Sequence, residues 1–508
     1  MKRIAIVGGG IAGLAAAYEL ARFARDGAAV EATLFESSNR FGGLIETVRE
    51  GGFTVEGGPD GWVSAKPWAR ELAIALGLGD ELISSNDATR KTWVLLSNAE
   101  NPAGRLVAMP AGFNMMVPTD LSALDGSPLF SDAAIAAYRA EPARAEELRA
   151  AVPQHDESVA DFTLRHFGAE VLERVATPLL SGVFGGDVRK LSVRAVMPAF
   201  VAMEREHGSL IAVLQAGIQP ATRNLQPPTG IFTTLRSGMG TLAERLIAAL
   251  PAQWLRLHTT VTGIHRGAGD GTRRWQVTTV TAGKQTASES FDAVLLATPL
   301  DATRSLLTPL DAAAAERLPV ESSSAVLVAF CYADASRVPV PQGFGFLVPP
   351  NFAAPDEEPE PSASLLLACT FVDQKFPHRV PPGGRQVRAF FGGAVADRIA
   401  RCNNDEIAAI ARLELARVLH SVGPPHIATA PAPVPVLTVV RRWPNSLPQY
   451  AVGHLDRVAE LEARLQKLAG LTLLGNALHG VGIPDLICAA RQAARTAASD
   501  NGQRKTDN

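Results

Sequence analysis

The stretch RIAIVGGGIAGLAAAYELA, residues 3–21, constrains the fold more than any other. An apolar run ends at Val7, glycines stand at positions 8, 10 and 13, and an alanine-rich segment continues at helical period. This is a strand, a G-x-G-x-x-G turn and a helix in the order a dinucleotide fold requires. Gly8 permits the tight turn. Gly10 lets the backbone approach a pyrophosphate at the helix start, beside Ile11 and Ala12. Gly13, with Ala15, Ala16 and Ala17, lets helix and strand pack closely. The next apolar run, VEATLFE, ends at Glu36, 23 residues after Gly13. A carboxylate there accepts both hydroxyls of an unphosphorylated ribose.

The residues just beyond Glu36 separate the long flavin dinucleotide from a nicotinamide. ESSNRFGGLIETV places Arg40 and the Gly42-Gly43 pair directly behind the ribose acid. A cation there can meet the pyrophosphate, and the glycine pair lets the chain pass close to a longer cofactor. FAD is therefore the expected cofactor, held non-covalently. The other glycine turn, SGMGTLAERL, comes after a short Thr-rich stretch and has no acid some 20 residues later. It reads as a turn opening an ordinary helix. With no nicotinamide site, electrons come from the substrate and leave to oxygen or another acceptor.

Composition fits an ordered globular protein of two to three domains. The chain has 508 residues, 47% of them hydrophobic and 19% charged. A net charge of −3 gives no nucleic-acid footprint. No apolar run reaches the ~18–20 residues of a spanning helix, so the expected location is cytoplasmic, or at most peripheral to the inner face of a membrane. Cys331, Cys369, Cys402 and Cys488 form no C-x-x-C, and the ten histidines are scattered. No metal site is expected.

Strands are expected in RIAIV, VEATLFE, GFTVEGG, RRWQVTTV, FDAVLLA, SAVLVAF and VRAFFGG, and helices between about 111 and 205. In that helical part Ser158 and Asp161 stand at capping spacing, with a break at Gly168. The apolar MPAGFNMMVPTDL (109–121) suits a channel lining, a lipid contact or plain core. Proline-rich loops are expected at 217–230, 348–364 and 422–436, and a disordered tail after Ser499. Strands at both ends with helices inserted between point to α+β and α/β domains built from discontinuous pieces.

The blocks ESSNRFGGLIETVREGGFTVEGGPDGW, DESVADFTLRHFGAEV, PLLSGVFGGDVRKLSVRA, GFGFLVP, ACTFVDQKFPHR, LPQYAVGHLDRV and GNALHGVGIPD run in order over nearly the whole chain. Together they resemble the protoporphyrinogen and coproporphyrinogen oxidases of haem biosynthesis, within the amine-oxidase-like flavoproteins. The resemblance implies a Rossmann-like FAD domain (1–65, 230–300, 455–500) and a mixed-sheet substrate domain (66–110, 205–229, 301–454). A helical insert at 111–204, which can contact a membrane, completes the fold. It also implies a six-electron oxidation of a porphyrinogen by flavin, with oxygen reduced to peroxide. Protoporphyrinogen IX is the first expected substrate and coproporphyrinogen III the alternative. Further implied partners are ferrochelatase for hand-over and a second copy of the chain, with monomer and homodimer both open.

Carried onto this chain, the resemblance assigns Gly182, Phe344, Leu347 and Phe390 to the substrate. It assigns Gly58, Pro59, Val261, Trp443 and Gly475 to the cofactor. The amides of Val481, Gly482 and Ile483, at the start of the last helix, would face the flavin's pyrimidine carbonyls. The arginine that some relatives use for a propionate aligns with Thr92, leaving neighbouring Arg90 and Lys91 as candidates. An amine oxidase, a carotenoid-type desaturase and a non-catalytic tetrapyrrole-binding flavoprotein share parts of this pattern. The first often carries an aromatic cage, and this chain has only four tyrosines.

Overall fold

A computed structural model describes residues 1–97, 104–217, 230–267, 274–349, 364–419 and 433–499. The three proline-rich stretches fall largely, and the C-terminal tail wholly, outside the described residues.

Five parallel strands form the first sheet, in the spatial order Leu255–Arg256, Val30–Phe35, Lys2–Val7, Ala293–Leu296, Leu471–Leu473. Parallel strands are covered on both faces and read as continuous apolar runs; Ile4, Ala5 and Ile6, and Val294, Leu295 and Leu296, are fully buried. One face receives the helices Ile11–Arg25 and Ile483–Ser499. Ala15, Ala16 and Ala17 on the first and Ala490, Ala493 and Ala494 on the second are buried in that same core. Small side chains let the two backbones approach. An antiparallel meander, Thr259–Arg266, Trp275–Thr281 and Thr286–Phe291, covers the other face through Ile264, Trp275, Val277 and Phe291.

A seven-stranded sheet stands beside it, ordered Leu437–Pro448, Ser322–Tyr332, Arg385–Gly392, Ala368–Phe371, Gly345–Leu347, Thr92–Leu96, Arg105–Ala108. Every pairing is antiparallel except that of Gly345–Leu347 with Thr92–Leu96. One face packs on the helices Gly393–Ile399 and Asn404–Leu419. The helical part surrounds Tyr138, Phe162, Phe167 and Leu180, and its core takes in Val94 and Val107 from the edge strands of the sheet. Ser158 caps the helix Val159–Phe167 by accepting from the Asp161 amide at 3.0 Å, and Gly168 ends it with φ +85°. In MPAGFNMMVPTDL, Met116 and Val117 are buried and Phe113 stacks on Phe130 at 6.1 Å, so much of that stretch is core. No described helix is long and apolar enough to cross a membrane.

Two domain boundaries differ from those read in the sequence. The helix Trp68–Ala75 buries Ala69, Leu72 and Ala73 in the core of the parallel sheet. The helix Leu210–Gln215 buries Leu210, Ile211 and Val213 in the helical core. Neither belongs to the substrate sheet: the first turns its apolar stripe to the core of the parallel sheet, and the second to the helical core that also holds Phe200, Val201 and Met203.

Inside the helical core His166 bridges two carboxylates, Nδ1 to Glu141 at 3.1 Å and Nε2 to Glu204 at 3.0 Å. Burial would lower its pKa, but hydrogen bonds to Glu141 and Glu204 outweigh burial and raise it above the ordinary value. A raised native pKa contributes stability that is complete below the unfolded value of about 6.5 and lost as pH rises through the native one. The stability advantage of the wild type over His166→Gln, read from urea midpoints, is therefore expected to shrink from pH 6 upward. A gap that widens with pH would contradict this assignment.

Candidate functional site

The glycines of the first turn divide by what surrounds them. A Cβ on Gly8, whose φ is +106°, would lie 2.3 Å from the Ala297 carbonyl oxygen, and one on Gly13 1.9 Å from the Gly8 oxygen. Both are glycine because backbone fills the space. A Cβ on Gly10 would meet nothing nearer than the Gly43 Cα, at 4.0 Å. Gly10 therefore borders a crevice rather than a packed wall. Its opposite side is the Gly42-Gly43 loop, tied by the Gly42 amide to the Gly9 oxygen at 2.8 Å. The helix beginning at Ile11 has no side-chain cap and no acid in its first turn. Its first amides lack helical partners, and the positive end of the helix dipole faces the crevice.

Glu36 stands at the end of its strand, half-buried. Its carboxylate accepts from the Gly9 amide at 2.7 Å and the Ser38 amide at 2.8 Å. Its own carbonyl accepts from Thr259 at 2.9 Å, which brings Val261, half-buried at a β-bulge, alongside. Arg40 is turned onto the loop itself: its guanidinium donates to the Gly43 oxygen at 2.6 Å and the Ile45 oxygen at 3.1 Å, and pairs with Glu46 at 3.4 Å. It braces the glycine pair. Gly58 packs on the same loop, where a Cβ would fall 1.9 Å from the Leu44 oxygen, and Pro59 leads away from it.

The other glycine turn lies at the far end of the chain. Strand Leu471–Leu473 pairs with Ala293–Leu296, and Gly475, φ +116°, starts the turn into the last helix. Two rings brace that turn. The Tyr450 hydroxyl donates to the Asn476 oxygen at 2.6 Å and accepts from the Gly480 amide at 2.9 Å. His454 stacks on Tyr450, centroids 4.0 Å apart, and its Nε2 lies 2.8 Å from the Leu478 oxygen. Residues 476, 478 and 480 are thereby fixed ahead of Val481, Gly482 and Ile483. Asp485 folds back over this turn and pairs with Lys66 at 2.7 Å. A Cβ on Gly482 would lie 3.0 Å from the Asp485 carboxylate, so the space beside Gly482 is used by the protein's own acid. Trp443 lies on the strand Leu437–Pro448, whose Ser446 oxygen accepts from the Asn476 amide group at 2.8 Å.

Leu347 and Phe390 fall on one face of the seven-stranded sheet. The registers run Leu327, Phe390, Ala368, Leu347, Val94, Val107 across neighbouring strands. Leu347 and Phe390 flank Ala368 at two strand spacings, about 10 Å. All three are half-buried, whereas Phe346, Cys369 and Ala389 on the opposite face are buried. Facing this row is the helix Thr177–Phe184, where a Cβ on Gly182 would lie 3.6 Å from Leu347 Cδ2. The Gly182 carbonyl is in the last helical turn, beyond reach of an intrahelical donor. Phe344 is held by backbone bonds, its amide to the Lys91 oxygen and its oxygen to the Phe371 amide, both 2.8 Å. Lys91 itself reaches away from the row, its ammonium 5.7 Å over the ring of Trp93 on the other face. Arg90 is exposed just before the strand.

Sequence reasoning missed a buried ionic cluster where the two sheets meet. Glu56 ends the strand Phe53–Glu56 and Asp60 follows it, while Lys375, Arg379 and Arg388 come from the seven-stranded sheet and the connection between two of its strands. Lys375 pairs with Asp60 at 3.1 Å, Arg388 with Asp60 at 3.3 Å, and Arg379 with Glu56. Arg388 also donates to the Gly58 oxygen and lies 5.1 Å from the ring of Phe390. Burial alone would raise the Asp60 pKa; Lys375, Arg388 and Arg379 outweigh it and hold it at about 2. Burial pushes Lys375 and Arg388 below their ordinary values. The partners are more than 300 residues apart in sequence, so no local spacing exposes them. Glu56 also accepts from the Met239 amide at 2.8 Å, and Thr47 from the Gly240 amide at 2.7 Å. The start of the helix Gly240–Ala248 is thus occupied by the protein's own side chains, which leaves no second nucleotide turn there.

The bare crevice at Gly10, an uncapped helix start, a strand-end carboxylate at Glu36 and a second glycine turn two strands away on the same sheet edge define a dinucleotide-binding oxidoreductase fold. The pattern of the flavin containing amine oxidoreductase family matches residues 11–498, and the chain belongs to that family. A flavin is the cofactor of this class, and the crevice fits it. Coproporphyrinogen III oxidase of Bacillus subtilis is 32% identical over 98% of both chains, and protoporphyrinogen oxidase 1 of Spinacia oleracea 27% over 96% of this chain and 83% of that one. A crystal structure of a protein assigned as a protoporphyrinogen oxidase from Exiguobacterium sp. 255-15 superposes with TM-score 0.78 at 30% identity, covering 98% of each chain. Cyclohexylamine oxidase of Brevibacterium oxydans, at 16% identity and TM-score 0.64 over 99% of this chain, shares the fold.

Because a side chain at Gly10 meets no protein atom closely, Gly10→Val is expected to fold with an apoprotein melting temperature near that of the wild type. It should bind flavin at least tenfold more weakly in a fluorescence-quenching titration. Unchanged affinity would remove Gly10 from the cofactor crevice.

Proposed function

We propose that the chain is a porphyrinogen oxidase of haem biosynthesis that holds FAD non-covalently and uses oxygen as acceptor. Coproporphyrinogen III is the preferred substrate and protoporphyrinogen IX the second. That order reverses the one expected from sequence, because the B. subtilis relative named for the former is the more similar of the two, 32% against 27% identical. The observation that carries the reading is the half-buried apolar row Leu347, Ala368, Phe390 facing the bare backbone of Gly182.

Bound FAD supplies the two-electron acceptor and its reoxidation by oxygen; three rounds remove six electrons and six protons from one porphyrinogen and yield three H2O2. The chain's own task is to hold a large flat ring. Leu347 and Phe390 present apolar surface on either side of the small Ala368, which leaves a trough for a pyrrole edge. The Gly182 carbonyl, lacking a helical donor, is an acceptor for a pyrrole N–H. Ile11, Ala12 and Gly13 offer amides to the pyrophosphate, and Glu36 accepts the ribose hydroxyls. Val481, Gly482 and Ile483, which follow the turn that Tyr450 and His454 brace, would offer the start of the last helix to the flavin's pyrimidine edge. Phe390 keeps water from the face of the macrocycle. Arg90 is the basic candidate left for a carboxylate at the rim, since Lys91 points to the other face.

Purified holoprotein is expected to convert both porphyrinogens to fluorescent porphyrins, faster for coproporphyrinogen III, with three peroxides per porphyrin. Leu347→Asp should lower kcat/KM at least tenfold with flavin still bound. Porphyrin formation no faster than in protein-free buffer would end this reading, and an unaffected Leu347→Asp would remove the trough from it.

A further inference from the structure

The cluster at the junction contains three basic side chains and two acidic ones. Lys375, Arg379 and Arg388 are each less than a tenth exposed or at that limit, and Glu56 is fully enclosed. Asp60, with its side chain 14% exposed, is the least covered. The contacts that join them leave one positive charge uncompensated. They also leave donors unused: the Nε atoms of Arg379 and Arg388 are buried without a hydrogen-bond partner. An unbalanced buried charge is costly, and a fold that evolved only for stability would pair it or replace it with apolar side chains. The surplus therefore calls for a negative charge that the protein itself does not provide.

The cluster's position indicates where that charge arises. Arg388 is bonded to the oxygen of Gly58, and Gly58 is packed on Leu44 of the loop that closes the crevice opposite Gly10. Arg388 is also against the ring of Phe390, on the face that carries Leu347. The cations thus sit behind the seam where the flavin crevice meets the apolar row. Hydride uptake by a neutral oxidised flavin delivers two electrons and one proton and leaves one net negative charge. In a buried, weakly screening setting that charge feels a fixed cation strongly.

We infer that Lys375 and Arg388, restrained by Asp60, are positioning residues that raise the flavin's reduction potential through the surplus positive charge of their cluster. Asp60 sets the size of the surplus and keeps both cations in place. Lys375 is further held 4.3 Å over the ring of Phe232, so it has little freedom to swing away. Asp60 and Lys375 act in opposite electrical senses at one point, which separates an electrostatic effect from a loss of packing. This inference rests on the flavin reading of the crevice.

The test is the midpoint potential of bound FAD, measured by anaerobic dye-coupled reduction of the holoprotein. Asp60→Asn adds one net positive charge and is expected to raise the potential. Lys375→Met removes one and is expected to lower it. A tenfold change in the reduction equilibrium corresponds to about 30 mV for a two-electron couple, and each variant is expected to move by at least that much. Lys375→Arg keeps the charge and should stay near the wild type. Potentials that do not move, or that move in the same direction for both charge changes, overturn the inference. If Lys375→Met does not fold, Asp60→Asn decides alone: a rise supports the inference and an unchanged value refutes it. Wild-type protein that takes up no FAD defeats the flavin reading itself, a result distinct from flavin bound at a potential indifferent to these charges.

Discussion

The parallel pairing of Lys2–Val7 with Ala293–Leu296, and of that strand with Leu471–Leu473, is the constraint on which the rest depends. Parallel strands end on the same edge of a sheet. Gly8, Ala297 and Gly475 therefore emerge side by side, though they lie almost 470 residues apart from first to last. Glu36 joins them from the strand on the other side. Ligands of open α/β sheets bind beyond the carboxyl ends of the strands, and here that edge collects two glycine turns and the carboxylate of Glu36. Much of the rest of the chain is inserted between these strands, and the helix Ile483–Ser499 follows the last of them. The insertions can grow a second sheet and a helical body without disturbing the edge, because each returns to a strand fixed by buried apolar residues on both faces.

The second sheet contributes a surface, not a reactive side chain. One of its faces is consumed by packing against Gly393–Ile399 and Asn404–Leu419, while the other leaves Leu347, Ala368 and Phe390 partly open. The junction between the sheets is charged at its centre. Asp60 and Glu56 meet three cations there, and removing either acid would leave further buried positive charge uncompensated, typically about 3–5 kcal/mol of destabilisation. The junction therefore holds the apolar row and the flavin crevice in one arrangement while imposing a positive field on the seam. The rings of Tyr450 and His454 do the corresponding work for the second glycine turn, with hydrogen bonds in place of charge.

Much of this was legible in the chain. The glycine spacing at 8, 10 and 13, the acid at 36 and the pair at 42–43 are local patterns, and local patterns survive without knowledge of the fold. The structure refines what each glycine is for: Gly8 and Gly13 answer to backbone contacts, Gly10 to open space, and Gly482 to the carboxylate of Asp485. The face shared by Leu347 and Phe390 came only through resemblance, because a strand's register with its neighbours has no signature in a single sequence. The ionic cluster was invisible for the same reason. Asp60 and Lys375 are 315 residues apart, and each alone looks like ordinary surface charge. The helices Trp68–Ala75 and Leu210–Gln215 were assigned to the wrong neighbours because an apolar stripe declares that it is buried, not against what.

Anaerobic titration of the oxidised holoprotein with coproporphyrinogen III tests the central reading most directly. A six-electron donor facing a two-electron acceptor bleaches the flavin completely at one third of an equivalent, and porphyrin appears in that same ratio. The expected result is an end point near one porphyrinogen per three flavins, with protoporphyrinogen IX giving the same ratio more slowly. Flavin that stays oxidised with both porphyrinogens would contradict the reading.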